Sequence, residues 1–518
     1  MKKIGIWIEF FSSKFVLFIA MVILASFSSW AGKYTHLLNI DLVNLKVRLY
    51  EDKIGNNLGC LFVVLVIFWI ASKIILKNDE IINKKRVRIF ALIATFIAGV
   101  VSFKWVIMHP YTPDHDQLQV VVDAMDFLKG NYSDLKGYLE IYPQQIGLVF
   151  LYKTVFSLWP NMEVIYFLHT IWVMVIVYFT YAVTEETFGN SRASFFSIIG
   201  AVLFVPMYFY VNYAYGDLGM AACGVLGIWL LIKYCKNHKL GYGLGLLSVM
   251  ILGYMIRANV LIIILAMCIV LLVYSIGQSD WRSLIFAILV LILPLLTQKA
   301  ILNYYEQKAD VEMLKGTPAV LFIAMGMQDT YEGPGYYNAY NLTVYVNADK
   351  DADKSASIAK EYISDRITEM KQDLKYTRDF YRVKIWQQWN EPSFSGEVST
   401  NTFEEEPDAF VYDIYYGKIQ DLLRVFRNYY LFILYTGAFI AVLSKLFCKK
   451  DSDSIWQNIS LVILIGGFLF SLLWESKSRY VMPYVVMLVP YGAYGLYQIQ
   501  HISVQVIKQM RRKTLRKE

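Results

Sequence analysis

A polytopic α-helical membrane protein of about twelve spans is what this sequence predicts, and three observations carry the prediction. The 518 residues are 57% hydrophobic and 16% aromatic, with a mean hydropathy of +0.43, too apolar for a soluble chain of this size. The apolar residues come in blocks of the ~20 residues that cross a bilayer core as a helix. The basic residues behind a formal net charge of +7 sit between those blocks and in the tail KQMRRKTLRKE, not on one concentrated face. They fix topology and do not mark a nucleic-acid partner.

The blocks fall at roughly 14–32, 58–77, 87–108, 163–183, 193–212, 216–234, 241–256, 258–276, 281–299, 427–445, 456–474 and 479–498. The first is followed by no small-residue cleavage site and by further spans, so it reads as a span rather than a signal. The 241–276 region could be one long broken helix, but parity favours two spans. With the N-terminal MKK inside, the loops at 77–88, 185–192, 233–239 and 445–454 and the C-terminal tail all fall inside, as the positive-inside rule asks. Lys33, Lys46, Arg48 and Lys53 run against it. Residues 109–162 and about 300–426 then lie outside. The stretch 143–159 is apolar, but crossing there would invert every later loop. Its Gln144, Gln145 and Lys153 suit a juxtamembrane helix lying on the outer surface.

Three regions follow: an N-terminal transmembrane region over 1–299 containing an outer loop at 109–162, an extracytoplasmic insertion at 300–426, and C-terminal spans with a basic cytoplasmic tail over 427–518. The insertion reads as α/β. Ile358, Tyr362, Ile367, Met370 and Leu374 give helical spacing within 354–388, while NLTVYVNA reads as a short strand and EGPGYYN as a turn.

Absent motifs narrow the chemistry. There is no P-loop. The glycines of GYGLGLL at 241–247 suit close helix packing. Cys60, Cys223, Cys235, Cys268 and Cys448 lie in or beside apolar blocks and form neither a disulfide framework nor a zinc spacing. The six histidines are scattered, so no metal site is expected from them. The triplets at Asn131, Asn341 and Asn458 match glycosylation acceptors, which carry no meaning in a bacterial host.

The chemistry concentrates outside the third span, where Asp114 and Asp116 open a short helix ending at Gly130. A carboxylate there could be a solvated charge, a cation ligand or a general base. A base would take the proton of an attacking hydroxyl, worth ~10²–10⁴-fold in rate. An ionised phosphate leaving group would need cations. Arg257, in an outer turn, and Lys477 and Arg479, before the last span, supply them, guanidinium matching phosphate in a bidentate manner. The alternative for these cations is anchoring to lipid headgroups. Asp123 and Asp126 read as the wetter side of the helix. Asp114-His115-Asp116 also resembles a metal-binding DxD triplet, which leaves a divalent cation open. Such triplets serve nucleotide-sugar enzymes on the cytosolic side, and this one faces outward.

Asp116-Gln117, Ala124 and the Gly130–Tyr132 ending, followed by YPQQIGLVFLYKTVFSLWP, resemble the first outer loop of GT-C superfamily glycosyltransferases of the protein O-mannosyltransferase and aminoarabinose transferase type. ESKSRYVMPY resembles the Arg-Tyr-x-x-Pro pattern late in bacterial members. The resemblance implies a GT-C-like fold with an outer juxtamembrane helix. It implies transfer of a monosaccharide with inversion from a polyprenyl-phosphate donor to an extracytoplasmic glycan, glycolipid or cell-surface polymer. It assigns the catalytic carboxylate to Asp116, with Asp114 in reserve. Apart from the resemblance, His115, Tyr142, Gln144 and Gln145 are candidates to line the substrate. The aromatic faces of Trp386 and Trp389, with Glu391 beside them, suit an acceptor sugar, although such tryptophans are more often core than platform. Membrane lipids, a donor synthase and a flippase are the implied partners; no cofactor is assigned, and a divalent cation stays open. The family's usual Asp-Glu pair is Asp-Gln here, which weakens a two-carboxylate scheme, and two extra spans precede the loop. The competing class is a secondary transporter or lipid-carrier flippase. It would want ionisable groups within spans, and Asp217 is the main one.

Overall fold

The computed structural model describes residues 2–38, 47–76, 80–447 and 454–514. Lys46, Cys448, most of the 445–454 loop and the last four residues of the basic tail lie outside them. The chain opens with α1 (Lys2–Ala31), a hairpin of β1 (Tyr34–Leu38) and β2 (Val47–Glu51), α2 (Ile54–Ile75) and α3 (Glu80–Met108). A first loop region holds α4 (His115–Leu128), α5 (Tyr138–Ile141) and α6 (Ile146–Phe156). Then come α7 (Glu163–Phe188), α8 (Ser191–Val202), α9 (Pro206–Phe209), α10 (Asp217–Asn237), α11 (Leu240–Ile256), α12 (Val260–Gln278) and α13 (Trp281–Ala309). A second loop region holds α14 (Ala319–Gly326), α15 (Tyr340–Asn347), α16 (Ala352–Gln372), α17 (Leu374–Trp389) and α18 (Ala409–Tyr416). The last elements are α19 (Lys418–Phe447), α20 (Ile459–Leu473), α21 (Met482–Val486) and α22 (Val489–Thr514).

Every expected block meets a helix, but among the described residues nine helices are long and apolar enough to cross a membrane. Three blocks differ. The 193–212 block stops at Val202 and resumes as the one-turn α9, because Pro206 cannot continue a helix. The 12 residues of α8 reach only ~18 Å. The 241–256 block is the 17-residue α11. The 479–498 block begins with a turn and the short α21, and its long helix starts at Val489.

Apolar periodicity becomes packing in two ways. At the centre, α10 is enclosed by α7, α11, α12 and α21, whereas α2 keeps most of its surface outward, as a lipid-facing helix does. Small residues allow close crossings. α19 and α22 meet where a Cβ on Gly495 would stand 1.7 Å from the Gly437 carbonyl oxygen. In GYGLGLL, Gly243 faces the Phe286 ring and Gly245 faces Leu230, so packing is their role.

α6 has 11 residues, about 16 Å of helix, too short to span. It packs on α4, α11 and α13. The second loop region departs from its α/β expectation. Its described residues contain no strand, only a bridge between Tyr111 and Phe403. NLTVYVNA forms α15 instead, because Asn341 and Tyr345, four apart, turn inward together. Tyr345 joins Leu321 and Ala359 in a small core. The 354–388 helix exists but breaks at Asp373, whose side chain accepts from the Tyr376 N–H.

Candidate active site

The site is built at the end of the bundle where both loop regions meet. The chain leaves α3 extended. Thr112 N–H donates to the Thr402 carbonyl (3.2 Å) and Glu404 N–H to the Pro110 carbonyl (2.9 Å), so the second loop region docks on the entry to α4. Asp114 is the residue before the first turn. Its Oδ2 accepts from the Thr402 hydroxyl (2.9 Å) and its Oδ1 from Gln117 Nε2 (2.9 Å). Gln117 is buried; its Nε2 also donates to the Tyr111 hydroxyl, and its Oε1 accepts from Ala214 N–H (3.0 Å). His115 takes a left-handed backbone (φ 46°) and points outward, its side chain 91% exposed.

Asp116 is half-buried and has no hydrogen bond or ion pair to any described residue. Its neighbours are phenols. Burial first, and then the Asp116 charge among other causes, hold Tyr138, Tyr142, Tyr215 and Tyr337 above the ordinary phenol range. The Tyr138 and Tyr215 hydroxyls stand 3.4 Å apart, and Gln145 Nε2 donates to Tyr215 (2.6 Å). Gln144 contributes its backbone carbonyl to Gln298 (2.9 Å).

The cations converge on the same tyrosines. Arg257 caps the end of α11 and lies 4.8 Å from the Tyr215 ring and 5.5 Å from that of Tyr480. It donates from Nη1 to the Tyr215 carbonyl (3.0 Å) and pairs through Nη2 with Asp217 (3.3 Å). Arg479 faces the rings of Tyr213, Tyr215 and Tyr480 at 5.7, 5.5 and 5.2 Å, and donates to the Tyr213 hydroxyl. Lys477 pairs with the buried Glu475 (3.1 Å) and lies 5.2 Å from the Tyr337 ring. Such cation–π contacts are stronger where water is excluded.

Glu391 fixes the late segment. It accepts from the N–H groups of Ser393 and Ser395 and from the hydroxyls of Ser393 and Ser478. Burial pushes its carboxyl upward against those four donors. Its own bonds go to this tether. Trp389 is likewise no platform. It is fully buried, stacks 4.9 Å from Phe27 and donates from Nε1 to Ser471 (2.9 Å). Trp386 packs between Trp30 and Tyr34 at 5.4 and 5.8 Å, beside β1.

Asp123 corrects another expectation. It is 1% exposed, not wet, and accepts from Gln119 (2.9 Å). Burial, with Asp134 next, pushes its carboxyl up to about 8. Asp126 is the half-exposed one and accepts from Asn131 (3.0 Å). Sequence reasoning missed Tyr138, Tyr213, Tyr215, Tyr480 and Glu475, and took Asp217 as a transport signal. The polar-aromatic run NYAYGD between two blocks was the available sign. Among the described residues no group of three or more His, Cys, Asp or Glu could hold a metal ion.

Residues 147–298 match the family model described as dolichyl-phosphate-mannose-protein mannosyltransferase. The match takes in Tyr213, Tyr215, Asp217 and Arg257, and stops short of Asp114, Asp116, Lys477 and Arg479. No curated protein matches the chain at a significant level.

Proposed function

We propose, on the premise that this chain is a multi-pass membrane glycosyltransferase of the GT-C type, that it transfers one monosaccharide from a polyprenyl-phosphate donor to an extracytoplasmic glycan, glycolipid or cell-surface polymer. The observation that carries this reading is an unpaired carboxylate, Asp116, facing the same tyrosine wall as two arginines. An acceptor hydroxyl oxygen attacks the anomeric carbon and gives its proton to Asp116. The bond from that carbon to the phosphate oxygen breaks on the opposite side, so the configuration inverts. The bond's electrons leave on the carrier phosphate, where Arg257, Arg479 and Lys477 stabilise the charge. Asp114 is the weaker candidate for the base because both its oxygens are already engaged.

Asp217 pairs with Arg257 and Glu475 with Lys477, while Arg479 contacts tyrosines and has no ion pair among the described residues. It is the cation of the three left to meet the charge of a carrier phosphate. The distribution of basic loops supports an outward-facing site, supplied by a donor synthase and a flippase. Tyr142, Gln144 and Gln145 line the donor side, and His115 stands at the entrance. The transporter reading loses its main support once Asp217 has Arg257 as partner.

The test is transfer of labelled sugar from a polyprenyl-phosphate carrier in membranes. Asp116→Asn should lower turnover by ~10²–10⁴-fold. Unchanged turnover removes Asp116 as the base, and solute uptake without sugar transfer returns the transporter.

A further inference from the structure

A second polar site lies away from the tyrosine wall. A cavity of about 220 Å³ opens where the β1–β2 hairpin meets the start of α2 and the early turns of α19. Tyr50, Asp52, Asn57, Arg424, Asn428 and Tyr429 line it. Three features describe what would fit. The first is size: the volume is below the ~300 Å³ of the smaller drug-sized sites, so it suits one ring and not a chain.

The second is charge. Asp52 accepts the Thr35 hydroxyl (2.6 Å), and Arg424 pairs with Asp421 (3.3 Å) while lying 5.6 Å from the Tyr50 ring. Glu51 and Lys53, both exposed on the lining, cancel each other. With Arg424 held by Asp421 and Lys53 offset by Glu51, Asp52 is left with a hydroxyl partner, so the polar cavity favours a neutral hydrogen-bonding ligand over an anion.

The third is hydrogen-bonding capacity. Asn57 is 1% exposed, spends its amide hydrogen on the Gly32 carbonyl (3.0 Å) and leaves Oδ1 with no partner. A buried acceptor of this kind is costly unless something donates to it. Side-chain amides carry both donors and acceptors, the complement of neighbouring hydroxyls, and tyrosine rings offer an apolar face with a polar tip.

We propose that this cavity is a sugar-binding subsite that takes one pyranose unit of a glycan. The glycan chemistry rests on the transferase reading above; the polarity, size and unpartnered Asn57 do not. The cavity is also joined to the cation cluster. His36 N–H on β1 donates to the Asn390 carbonyl (3.1 Å), and Asn390 Nδ2 donates to the Tyr34 carbonyl (2.6 Å). The next residue, Glu391, holds Ser478 beside Arg479 (2.8 Å). A glycan seated in the cavity is thereby fixed relative to the group that holds the donor.

Saturation-transfer NMR on the full chain in phospholipid nanodiscs tests this, with the methyl glycosides of mannose, glucose and N-acetylglucosamine as probes. At least one glycoside should bind. Tyr429→Ala and Arg424→Ala should weaken it roughly tenfold, the loss of one good contact, while Asp116→Asn should not. Thermal unfolding at the wild-type temperature identifies folded variants. No binding by any glycoside, or weakening by Asp116→Asn alone, overturns the subsite. So does a tightly held phospholipid, seen by native mass spectrometry and lost in the cavity variants. Wild-type sugar transfer by Asp116→Asn would remove the proposed base and leave the glycoside result standing.

Discussion

Gln117 holds three groups at once, and only an amide can do so. Its nitrogen donates to Asp114 and Tyr111 while its oxygen accepts from Ala214 N–H, one residue from Tyr215. The Asp-Gln pair at 116–117, where the resembled glycosyltransferases carry Asp-Glu, therefore has a physical content. It engages Asp114 Oδ1 and ties the start of α4 to the tyrosine wall. A carboxylate at this position would keep the Ala214 bond, lose both donated bonds and face Asp114 with like charge. Gln117→Glu should accordingly lower transfer roughly tenfold, the scale of one hydrogen bond to a charged group. It should also add a second acidic limb to the pH–rate profile, from the shared proton of the new pair. Wild-type kinetics with an unchanged profile would show that the amide does not position the site. The conflict was readable at 116–117, but the partners were not, because Ala214 lies 97 residues away in sequence.

At the scale of elements, α4 shows both what periodicity reveals and where it was misapplied. Val120, Asp123, Ala124 and Phe127 share one face at spacings of three and four, and all are buried. Polarity alone suggested a wet Asp123; its position on the apolar stripe said otherwise. The strand reading of NLTVYVNA failed similarly, since β-branched composition is weaker evidence than which residues can turn inward together. Both apolar blocks around the first loop and the separate short helix α6 were legible, because the length of an apolar run is a property of the chain itself. The burial of Asp123 has a measurable consequence. Its folded carboxyl titrates near 8, above the ~4 of an unfolded aspartate, with Asp134 and Asp126 facing it. The folded state therefore holds an extra proton between those values, and stability falls as pH rises from about 4 through 8. Asp123→Asn keeps the shape and has no charge to bury. Its apparent unfolding temperature should match wild type near pH 4 and exceed it increasingly towards pH 8. An equal difference at both pH values would mean that Asp123 is already ionised in the folded protein.

Across the whole molecule, the site is assembled from pieces that the chain order keeps apart: Asp116, the 213–217 turn, Arg257 and the 475–480 segment. The family match covers only the middle two. Compositional reading found the cations because charges are conspicuous in an apolar chain, and missed the tyrosines because aromatics are everywhere in it. The second loop region reaches the segment that carries Arg479 through Glu391, which accepts from Ser478 87 positions away. Ser395 bonds to the same hydroxyl (2.7 Å). If that tether aims Arg479 at the donor phosphate, Ser478→Ala should raise the donor KM while leaving kcat at saturating donor where it is. Arg479→Lys keeps the charge but loses the planar fork, and should raise the donor KM by itself. Because both changes act on one guanidinium, the double variant should cost less than the two single losses combined, which is the signature of coupled residues. Strictly additive effects, with both singles folded, would mean that the second loop region supports the bundle but does not aim Arg479.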